Sequence, residues 1–218
     1  MRKKLNENEI IKALTLLEEM HPEAMCALDH RDNFELIVAV VLSAQTTDVS
    51  VNKVTPALFE AYPDAKTLSK ADPEAVADII RTIGLYKNKS VNIVKLANKL
   101  CEDFGGEVPS DFDSLVSLPG VGRKTANVVL AEAFDVPAIA VDTHVFRVSN
   151  RIGFANAKDV DKTEEQLRKR IPKDSWIRAH HLIIFHGRKI CHARKPDCDS
   201  CKIKNICLYY ADVNSCLK

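Results

Sequence analysis

A lysine and an aspartate eighteen positions apart are the side chains of this 218-residue chain best suited to do chemistry together. Lys124 follows a glycine-containing turn, LPGVG at residues 118–122, and Asp142 follows an apolar segment at residues 136–141. An amine attacks carbonyl-like or oxocarbenium-like carbons to give a Schiff base, and a nearby carboxylate stabilises the cationic transition state or moves protons. The pair therefore predicts covalent chemistry at an electrophilic carbon.

The turn before Lys124 is predicted to bind an anion. Its two glycines, Gly120 and Gly122, tolerate positive φ and let a ligand approach the main chain closely. The residues from Arg123 onward have apolar positions at helical spacing, so a helix begins directly after the turn. Its free N–H groups and the positive end of its dipole favour a phosphate diester at the turn. An ordinary helix-turn-helix corner without a ligand is the alternative that these residues alone leave open.

The helix dipole is also expected to lower the pKa of the Lys124 ammonium, because a cation is disfavoured in the first turn of a helix. An amine that loses its proton more readily is the better nucleophile. Asp142 precedes a helix predicted from the apolar positions Val145, Val148 and Ile152, so its carboxylate can equally be the N-cap of that helix. Lys124 taken alone is typical of a solvated surface lysine. Spacing by itself leaves both alternatives open.

Four clustered cysteines near the C-terminus predict a metal site. Cysteines occur at seven positions, clustered at Cys191, Cys198, Cys201 and Cys207 and scattered at Cys26, Cys101 and Cys216. A disulfide framework is disfavoured because the number of cysteines is odd, a chain of this length does not need disulfide cross-links to be stable, and no secretory signal is apparent. Four thiolates suit either a structural zinc or an iron-sulfur cluster. Zinc sites usually have two closely spaced ligand pairs, whereas this segment has one Cys-x-x-Cys, and this difference favours 4Fe-4S. Four unligated thiols are disfavoured because exposed, clustered thiols oxidise readily.

Six motifs together resemble the helix-hairpin-helix DNA glycosylases, and most closely the endonuclease III family. They are LSAQTTD at 42–48, TIGLYKNK at 82–89, LPGVGRKTA at 118–126, VDTH at 141–144, FRVSNR at 146–151 and the four-cysteine tail. The resemblance covers nearly the whole chain. It implies a base excision repair enzyme, a DNA N-glycosylase with abasic-site lyase activity, that removes oxidised pyrimidines from double-stranded DNA and nicks the abasic site by β-elimination. It places the nucleophile at Lys124 and the essential carboxylate at Asp142.

The resemblance also implies DNA-binding residues, a cofactor and two lobes. Gln45 and Leu85 align with the residues that endonuclease III inserts into the duplex, although without the family they would be an ordinary loop amide and an ordinary hydrophobic contact. The other expected DNA-facing residues are Gly120, Gly122, Arg123 and, in a supporting role, His144. The four clustered cysteines are expected to hold a 4Fe-4S cluster as a structural clip. A six-helix lobe is expected at 26–136 and an iron-sulfur cluster lobe at 1–25 and 137–218, with DNA in the cleft between them.

Helical periodicity dominates the rest of the chain, and the predicted fold class is all-α. An amphipathic helix is indicated by Ile10, Leu14, Leu17 and Met20, and a fully buried helix by the apolar run at 34–41. Another helix begins at Asp72-Pro73-Glu74 and is expected to end at Gly84. A fourth, from 89 to 104, is closed by Gly105-Gly106. No sustained apolar/polar alternation predicts strands.

Composition adds a local charge asymmetry to a net charge of +1. Residues 178–204 contain seven Lys and Arg against two acids, plus four histidines. Such a stretch is the footprint expected of phosphate contacts, although charge runs often only solvate a surface. With no signal or transmembrane segment predicted, the expected location is cytoplasmic and nucleoid-associated, and the expected state is a monomer.

Two other functions are compatible with parts of the sequence. A mismatch glycosylase acting on adenine or thymine would use the aspartate without a lysine nucleophile, and Lys124 and the absence of an extra C-terminal domain argue against it. A non-catalytic DNA-binding module would use the hairpin to bind phosphates and a zinc knuckle to close the tail. Colour separates the two metals, since 4Fe-4S proteins are brown, and strand scission separates an enzyme from a binding module.

Overall fold

The structure is a computed structural model that describes residues 4–215, and within this range every regular element is helical. The prediction of an all-α protein is therefore confirmed. The α-helices are α1 (Glu7–Met20), α2 (Asn33–Leu42), α3 (Asp48–Ala61), α4 (Ala65–Leu68), α5 (Pro73–Ile79), α6 (Tyr86–Phe104), α7 (Phe112–Ser117), α8 (Arg123–Phe134), α9 (Thr143–Ile152), α10 (Val160–Arg170), α11 (Trp176–Lys189) and α12 (Leu208–Ser215), and a short 3-10 helix, Lys173–Ser175, precedes α11. Cys216 lies outside the described residues.

The helices form two compact units. One is continuous in sequence, Ala27–Val136, and contains α2 to α8. The other joins the chain up to Cys26 to the chain from Pro137 onward, and contains α1 and α9 to α12. Lys124 belongs to the first unit and Asp142 to the second.

Helix α2 is the most buried element of the continuous unit. Every residue from Phe34 to Leu42 is buried, as expected of a helix that is apolar on all sides. Asp32 caps it by accepting a hydrogen bond from the Glu35 N–H. Helices α3, α6 and α8 all pack against α2. Because α6 and α8 both follow glycine-containing turns, α2 holds the two turns on a common support.

Two helix boundaries differ from the sequence-based prediction. Helix α5 begins at Pro73 with Asp72 as its N-cap, as predicted, but it ends at Ile79 and does not reach Gly84. The chain leaves the helix because a tight turn, in which the Ile83 N–H donates to the Ile80 carbonyl, buries both isoleucines. Helix α6 starts at Tyr86, three residues earlier than predicted, and ends as expected before a left-handed Gly105 at φ 63°.

The second unit is built around α9 and α11, which pack against each other, with α1 on α11 and with α10 and α12 on α9. Its core includes Leu17 from α1, Val145 and Val148 from α9 and Ile183 from α11, all at most 1% exposed. The unit therefore depends on helices from both ends of the chain. No helix within residues 4–215 is both long enough and apolar enough to cross a membrane.

Candidate functional site

The predicted hairpin is present in the continuous unit. Helix α7, a turn at 118–122 and helix α8 follow one another, and α8 begins at Arg123 as predicted. Gly120 has φ 80°, a value that disfavours residues with a Cβ. A Cβ placed there would lie 3.1 Å from Val41 Cγ1 and 3.4 Å from Asn92 Cβ. Gly120 is therefore required both for the turn and for its close packing on α2 and α6.

The second glycine has a different role, because Gly122 is the N-cap residue of α8. Its backbone is extended, at φ −96° and ψ 178°, and a Cβ built on it meets no atom within 4 Å. Without a side chain it makes no capping hydrogen bond to the first turn of α8. The two cations that follow, Arg123 and Lys124, are exposed. This helix N-terminus combines uncapped N–H groups with exposed positive charge, which is the arrangement that binds a phosphate.

The two hairpin glycines provide a matched pair of variants. Gly120→Ala is expected to lower the free energy of unfolding by roughly 1–3 kcal/mol, because it combines a left-handed residue with overpacking. Gly122→Ser is expected to leave the melting temperature unchanged or slightly raised, because serine is a good N-cap. The same hydroxyl competes with phosphate for the N–H groups of α8, so affinity for duplex DNA should fall by roughly tenfold. Thermal denaturation and fluorescence anisotropy measure the two effects, and undiminished DNA affinity of Gly122→Ser would contradict the anion site.

Lys124 occupies the second position of α8, in its first turn, as the sequence predicts. Its side chain is exposed and makes no hydrogen bond or ion pair with residues 4–215. Arg123 lies beside it, with its guanidinium 5.4 Å from the ring centroid of Phe112 on α7. This cation–π contact links the two hairpin helices. The Lys124 amine is therefore accessible to a substrate without breaking an existing contact.

Asp142 is the N-cap of α9, so the capping role considered from the sequence is present. Its Oδ1 accepts hydrogen bonds of 2.8 Å from the N–H groups of both His144 and Val145. Its Oδ2 lies 3.2 Å from Nδ1 of the His144 ring. The Asp142 side chain is 17% exposed. Capping and chemistry are compatible here, because the cap fixes the orientation of a carboxylate that remains reachable.

His144 occupies the first turn of α9, with its side chain one-third exposed. The helix that passes behind it, α11, approaches through Gly187, where a Cβ would lie 3.2 Å from His144 Cβ and 3.0 Å from Val148 Cγ2. A larger residue at position 187 would push α11 away from the helix that carries Asp142. No sequence motif identified Gly187, because its importance comes from a helix contact between distant segments.

Gln45 and Leu85 lie on adjoining loops of the continuous unit. Both are exposed, and both have left-handed backbones, at φ 53° and φ 58°. A leucine in this conformation is unusual, and backbone strain of this kind is concentrated at functional positions. A Cβ at Gly84 would lie 3.9 Å from the Gln45 carbonyl oxygen, so the two loops approach each other directly. The structure thus brings together two residues that are forty positions apart in sequence.

The four clustered cysteines line one cavity of the second unit. Cys191 and Cys201 are buried, and Cys198 and Cys207 are partly buried. Burial, followed by the neighbouring thiols, raises the pKa of Cys201 to about 11, and burial also raises the pKa values of Cys198 and Cys207. Among residues 4–215, no three Cys, His, Asp or Glu side chains converge at the distances of one metal ion. The four sulfurs surround a shared space instead.

Side chains distant in sequence hold the segment that lines this cavity. Arg147 and Arg151 of α9 bind the cysteine segment: Arg147 donates to the carbonyls of Gly187 and Cys191, and Arg151 donates to those of His192 and Ala193. His186 is buried, and its Nε2 lies 3.6 Å from Cys201 Sγ. Burial lowers the pKa of His186 to about 4, so its ring is neutral at pH 7. The helix that Asp142 caps thus also anchors the cysteine segment.

The positive charge of the basic stretch at 178–204 is partly neutralised by acids from another part of the chain. Three of its cations form ion pairs with acids in or just after α1: Arg178–Glu18, Lys189–Glu23 and Lys202–Glu19. His180 is buried, with Nδ1 2.9 Å from the Ala140 carbonyl oxygen, and His186 is buried as described. Arg194 and Lys195, between the first two cysteines of the cluster, are exposed. Phosphate contacts from this stretch are therefore expected at exposed cations such as these two.

Comparison with known proteins identifies the family. The family model described as "HhH-GPD superfamily base excision DNA repair protein" matches residues 38–173. Endonuclease III of Bacillus subtilis (strain 168) is 50% identical over 204 residues, covering 93% of this chain and 93% of that protein. The chain belongs to the HhH-GPD superfamily and, within it, to the endonuclease III family. The resemblance inferred from the motifs is thereby confirmed.

Solved structures of endonuclease III also match this family member over nearly its whole length. A trapped endonuclease III–DNA covalent intermediate, an estranged-adenine complex, has a TM-score of 0.91 and 49% identity, covering 96% of this chain and 99% of that one. A non-covalent endonuclease III–DNA complex also has a TM-score of 0.91, with 48% identity, covering 97% and 99%. The range matched by the superfamily model includes the hairpin, Lys124 and Asp142, whereas the four cysteines follow its end.

Proposed function

We propose that this chain removes oxidised pyrimidines from double-stranded DNA and nicks the resulting abasic site by β-elimination, with Lys124 as nucleophile and Asp142 as the assisting carboxylate. Membership of the endonuclease III family supports base excision repair by a DNA N-glycosylase with abasic-site lyase activity. The observation that carries the residue assignment is the accessible Lys124 amine beside an uncapped helix N-terminus. A relative that is 49% identical forms a covalent intermediate with DNA, as a nucleophilic mechanism requires.

DNA binding is assigned to the hairpin. The N–H groups at the start of α8 bind a backbone phosphate, and Gly122 leaves them uncovered. Arg123 adds a charge next to the same phosphate, and its stacking on Phe112 limits the freedom of its guanidinium. Contacts of this kind position the duplex without reading its sequence, which suits an enzyme that must act at damaged bases in any sequence.

Base removal is assigned to Lys124. Its neutral amine attacks the deoxyribose C1′, an N–C1′ bond forms, and the C1′–base bond breaks with its electron pair leaving on the base. Asp142 stabilises the positive charge that develops at C1′ and moves the protons that the amine loses and the base gains. Two helix N–H groups already bind Oδ1 of Asp142, so its carboxylate needs no reorientation during the reaction.

Strand nicking follows from the same covalent bond. Opening of the sugar ring converts the Lys124 adduct into a Schiff base, which acidifies the C2′ proton. Loss of that proton expels the 3′ phosphate oxygen with the C3′–O bond electrons and breaks the strand 3′ to the lesion. Water then hydrolyses the imine and releases Lys124. One amine thus performs both activities.

Gln45 and Leu85 are assigned to the space that the damaged base leaves. Extruding a base from the stack costs a few kcal/mol, and a side chain that fills the vacated position offsets part of that cost. One of the two residues is polar and the other apolar, and both stand exposed on adjoining loops. The glutamine can form hydrogen bonds with the exposed edge of the unpaired partner base, and the leucine can pack against the faces of the neighbouring bases.

A 4Fe-4S cluster is the cofactor that the four-cysteine cavity suits best. Cys191, Cys198, Cys201 and Cys207 supply four sulfur donors around one space, the ligand set of such clusters. In such a cluster each cysteine would bind a different iron, so four sulfurs around one cavity fit that group. Bound by these four cysteines, such a cluster would connect the end of α11 to the start of α12. The unit at 1–26 and 137–218 is accordingly proposed as the cluster lobe and 27–136 as the hairpin lobe, one residue away from the boundary that the resemblance implies.

Removing one cluster ligand is expected to remove the colour. Cys201→Ala, purified without oxygen, should lose the brown absorbance and most of its iron and sulfide, and it should unfold at lower temperature because cofactor binding contributes to folding. Cys101→Ala is the matched control, since Cys101 lies in the other unit and the one hydrogen bond of its thiol within the described residues is to the Ser69 hydroxyl, at 3.8 Å. The control should keep full iron. A parent protein that carries zinc and no iron would overturn the assignment.

Product analysis on four duplexes tests the function as a whole. The duplexes carry thymine glycol, an abasic site, uracil or adenine opposite oxidised guanine. Base release and nicking are expected with thymine glycol, and nicking with the abasic site. Release of uracil or adenine with no nicking would instead indicate a monofunctional mismatch glycosylase, and four intact duplexes would indicate a binding module.

A further inference from the structure

A buried lysine connects the two loops that carry Gln45 and Leu85. Lys89, in the first turn of α6, is only 4% exposed. Its Nζ donates a 2.5 Å hydrogen bond to the Thr46 hydroxyl, which belongs to the residue next to Gln45. Its backbone N–H donates to the Leu85 carbonyl at 3.0 Å, which is the first i→i−4 hydrogen bond of α6. The Lys89 side chain therefore ties the Gln45 loop to the first turn of the helix that Leu85 begins.

The backbone around this contact is held in unusual conformations. Leu85 is the N-cap of α6 with a left-handed backbone and no side-chain capping hydrogen bond. Gln45 is left-handed as well, within a turn in which the Thr46 N–H donates to the Ser43 carbonyl. Gly84 lies in the turn that faces this loop, since a Cβ there would be in ordinary van der Waals contact with the Thr46 hydroxyl oxygen, at 4.0 Å. Conformations of this kind persist only where surrounding contacts determine them.

Stability alone does not explain this lysine. A charged amine without a carboxylate partner is costly to bury, and Lys89 forms no ion pair within residues 4–215. Burial lowers the pKa of Lys89, as expected of an amine that has lost much of its hydration. An apolar side chain of similar length would fill the same space at lower cost. The hydrogen bond to Thr46 is the interaction that such a side chain would lack.

We propose that Lys89 is a positioning residue that joins the Gln45 loop to the Leu85 turn, so that the two side chains enter the duplex as one pre-formed wedge. This inference rests on the proposed function, in which both residues fill the space left by the extruded base. A wedge that is already ordered loses less conformational entropy when it inserts, and the saving appears in the step that extrudes the base. Without the hydrogen bond, each loop must be ordered separately during that step.

Two variants remove the hydrogen bond from opposite sides. Lys89→Met keeps the length of the side chain and removes its charge and donor groups. Thr46→Val keeps the shape and removes the acceptor. Lys95→Met is the matched control, because Lys95 is an exposed lysine of the same helix. The readouts are the melting temperature, the single-turnover rate of thymine glycol release, the nicking rate of a pre-formed abasic site, and the fluorescence of 2-aminopurine placed next to the lesion.

A split between two rates is the expected result. Both variants should release thymine glycol roughly ten- to a hundredfold more slowly and give a smaller 2-aminopurine signal, because ordering the wedge is part of extrusion. Abasic-site nicking should change by less than about threefold, because no base has to leave the stack. The melting temperature of Lys89→Met should be equal to that of the parent or higher. The double variant should be no slower than either single variant, since both remove the same bond.

Other outcomes separate this inference from the function on which it rests. Parental release rates in Thr46→Val and Lys89→Met, with slow release in Gln45→Ala and Leu85→Ala, would overturn the role of Lys89 and leave the wedge intact. Parental release rates in Gln45→Ala and Leu85→Ala would overturn the wedge itself. If Lys89→Met fails to fold, Thr46→Val decides, because the Thr46 side chain lies on a partly exposed loop. Equal losses of release and nicking in Thr46→Val would show a general structural role and overturn the inference.

Discussion

Replacing Lys124 with glutamine is expected to abolish both borohydride trapping on thymine-glycol duplex and strand nicking, with base release slowed by roughly a thousandfold or more. In the proposed mechanism the Lys124 amine forms the bond to C1′, and an amide nitrogen cannot replace it. The fold should be unaffected, because the Lys124 side chain is exposed and makes no hydrogen bond or ion pair with residues 4–215. A parental melting temperature together with absent trapping would therefore isolate the chemical role.

Arg123→Gln is the control for this variant. Arg123 is an exposed cation in the same helical turn and is assigned to phosphate binding. Its loss should weaken DNA affinity, with a smaller dependence of affinity on salt, while trapping persists once the duplex is saturated. A Lys124→Gln protein that is trapped as efficiently as the parent would show that another amine is the nucleophile.

Asp142→Asn is expected to reduce base release by roughly a thousandfold while leaving the melting temperature nearly unchanged. Asparagine caps helices about as well as aspartate, so the two hydrogen bonds at the start of α9 can persist. What the variant loses is the negative charge that stabilises the transition state and the capacity to move protons. Single-turnover excision and thermal denaturation of the same preparation measure the two properties separately.

Asp142→Ala separates capping from chemistry further. It should lose the same catalytic factor and, in addition, about 1 kcal/mol of stability because the cap is removed. The difference between the two variants in free energy of unfolding then measures the cap alone. If Asp142→Asn retains parental activity and only Asp142→Ala is impaired, the residue is a structural cap and the carboxylate must be sought elsewhere.

The sequence predicted the parts of this protein that depend on neighbouring residues. The start of α8 at Arg123, the buried helix α2 and the N-cap Asp72 were all predicted, because caps, turns and helical periodicity act within a few residues. The four-cysteine segment was equally apparent, since ligand spacing is a local property. The resemblance of the motifs to those of a known family then identified the family, because a motif specifies the residue type at each position. The spacing of two residues alone does not determine their function.

Tertiary structure decided what depends on segments distant in sequence. The positive charge of residues 178–204 is partly neutralised by acids of α1, about 160 residues away in sequence. The ion pair between Arg178 and Glu18 is an example. Nothing local indicated that Lys89 is buried or that it binds Thr46, forty-three residues earlier. The left-handed backbones of Gln45 and Leu85 also depend on packing, since glutamine and leucine have no preference for that conformation. Periodicity and spacing report interactions along a helix or turn, whereas contacts between helices exist only after the chain has folded.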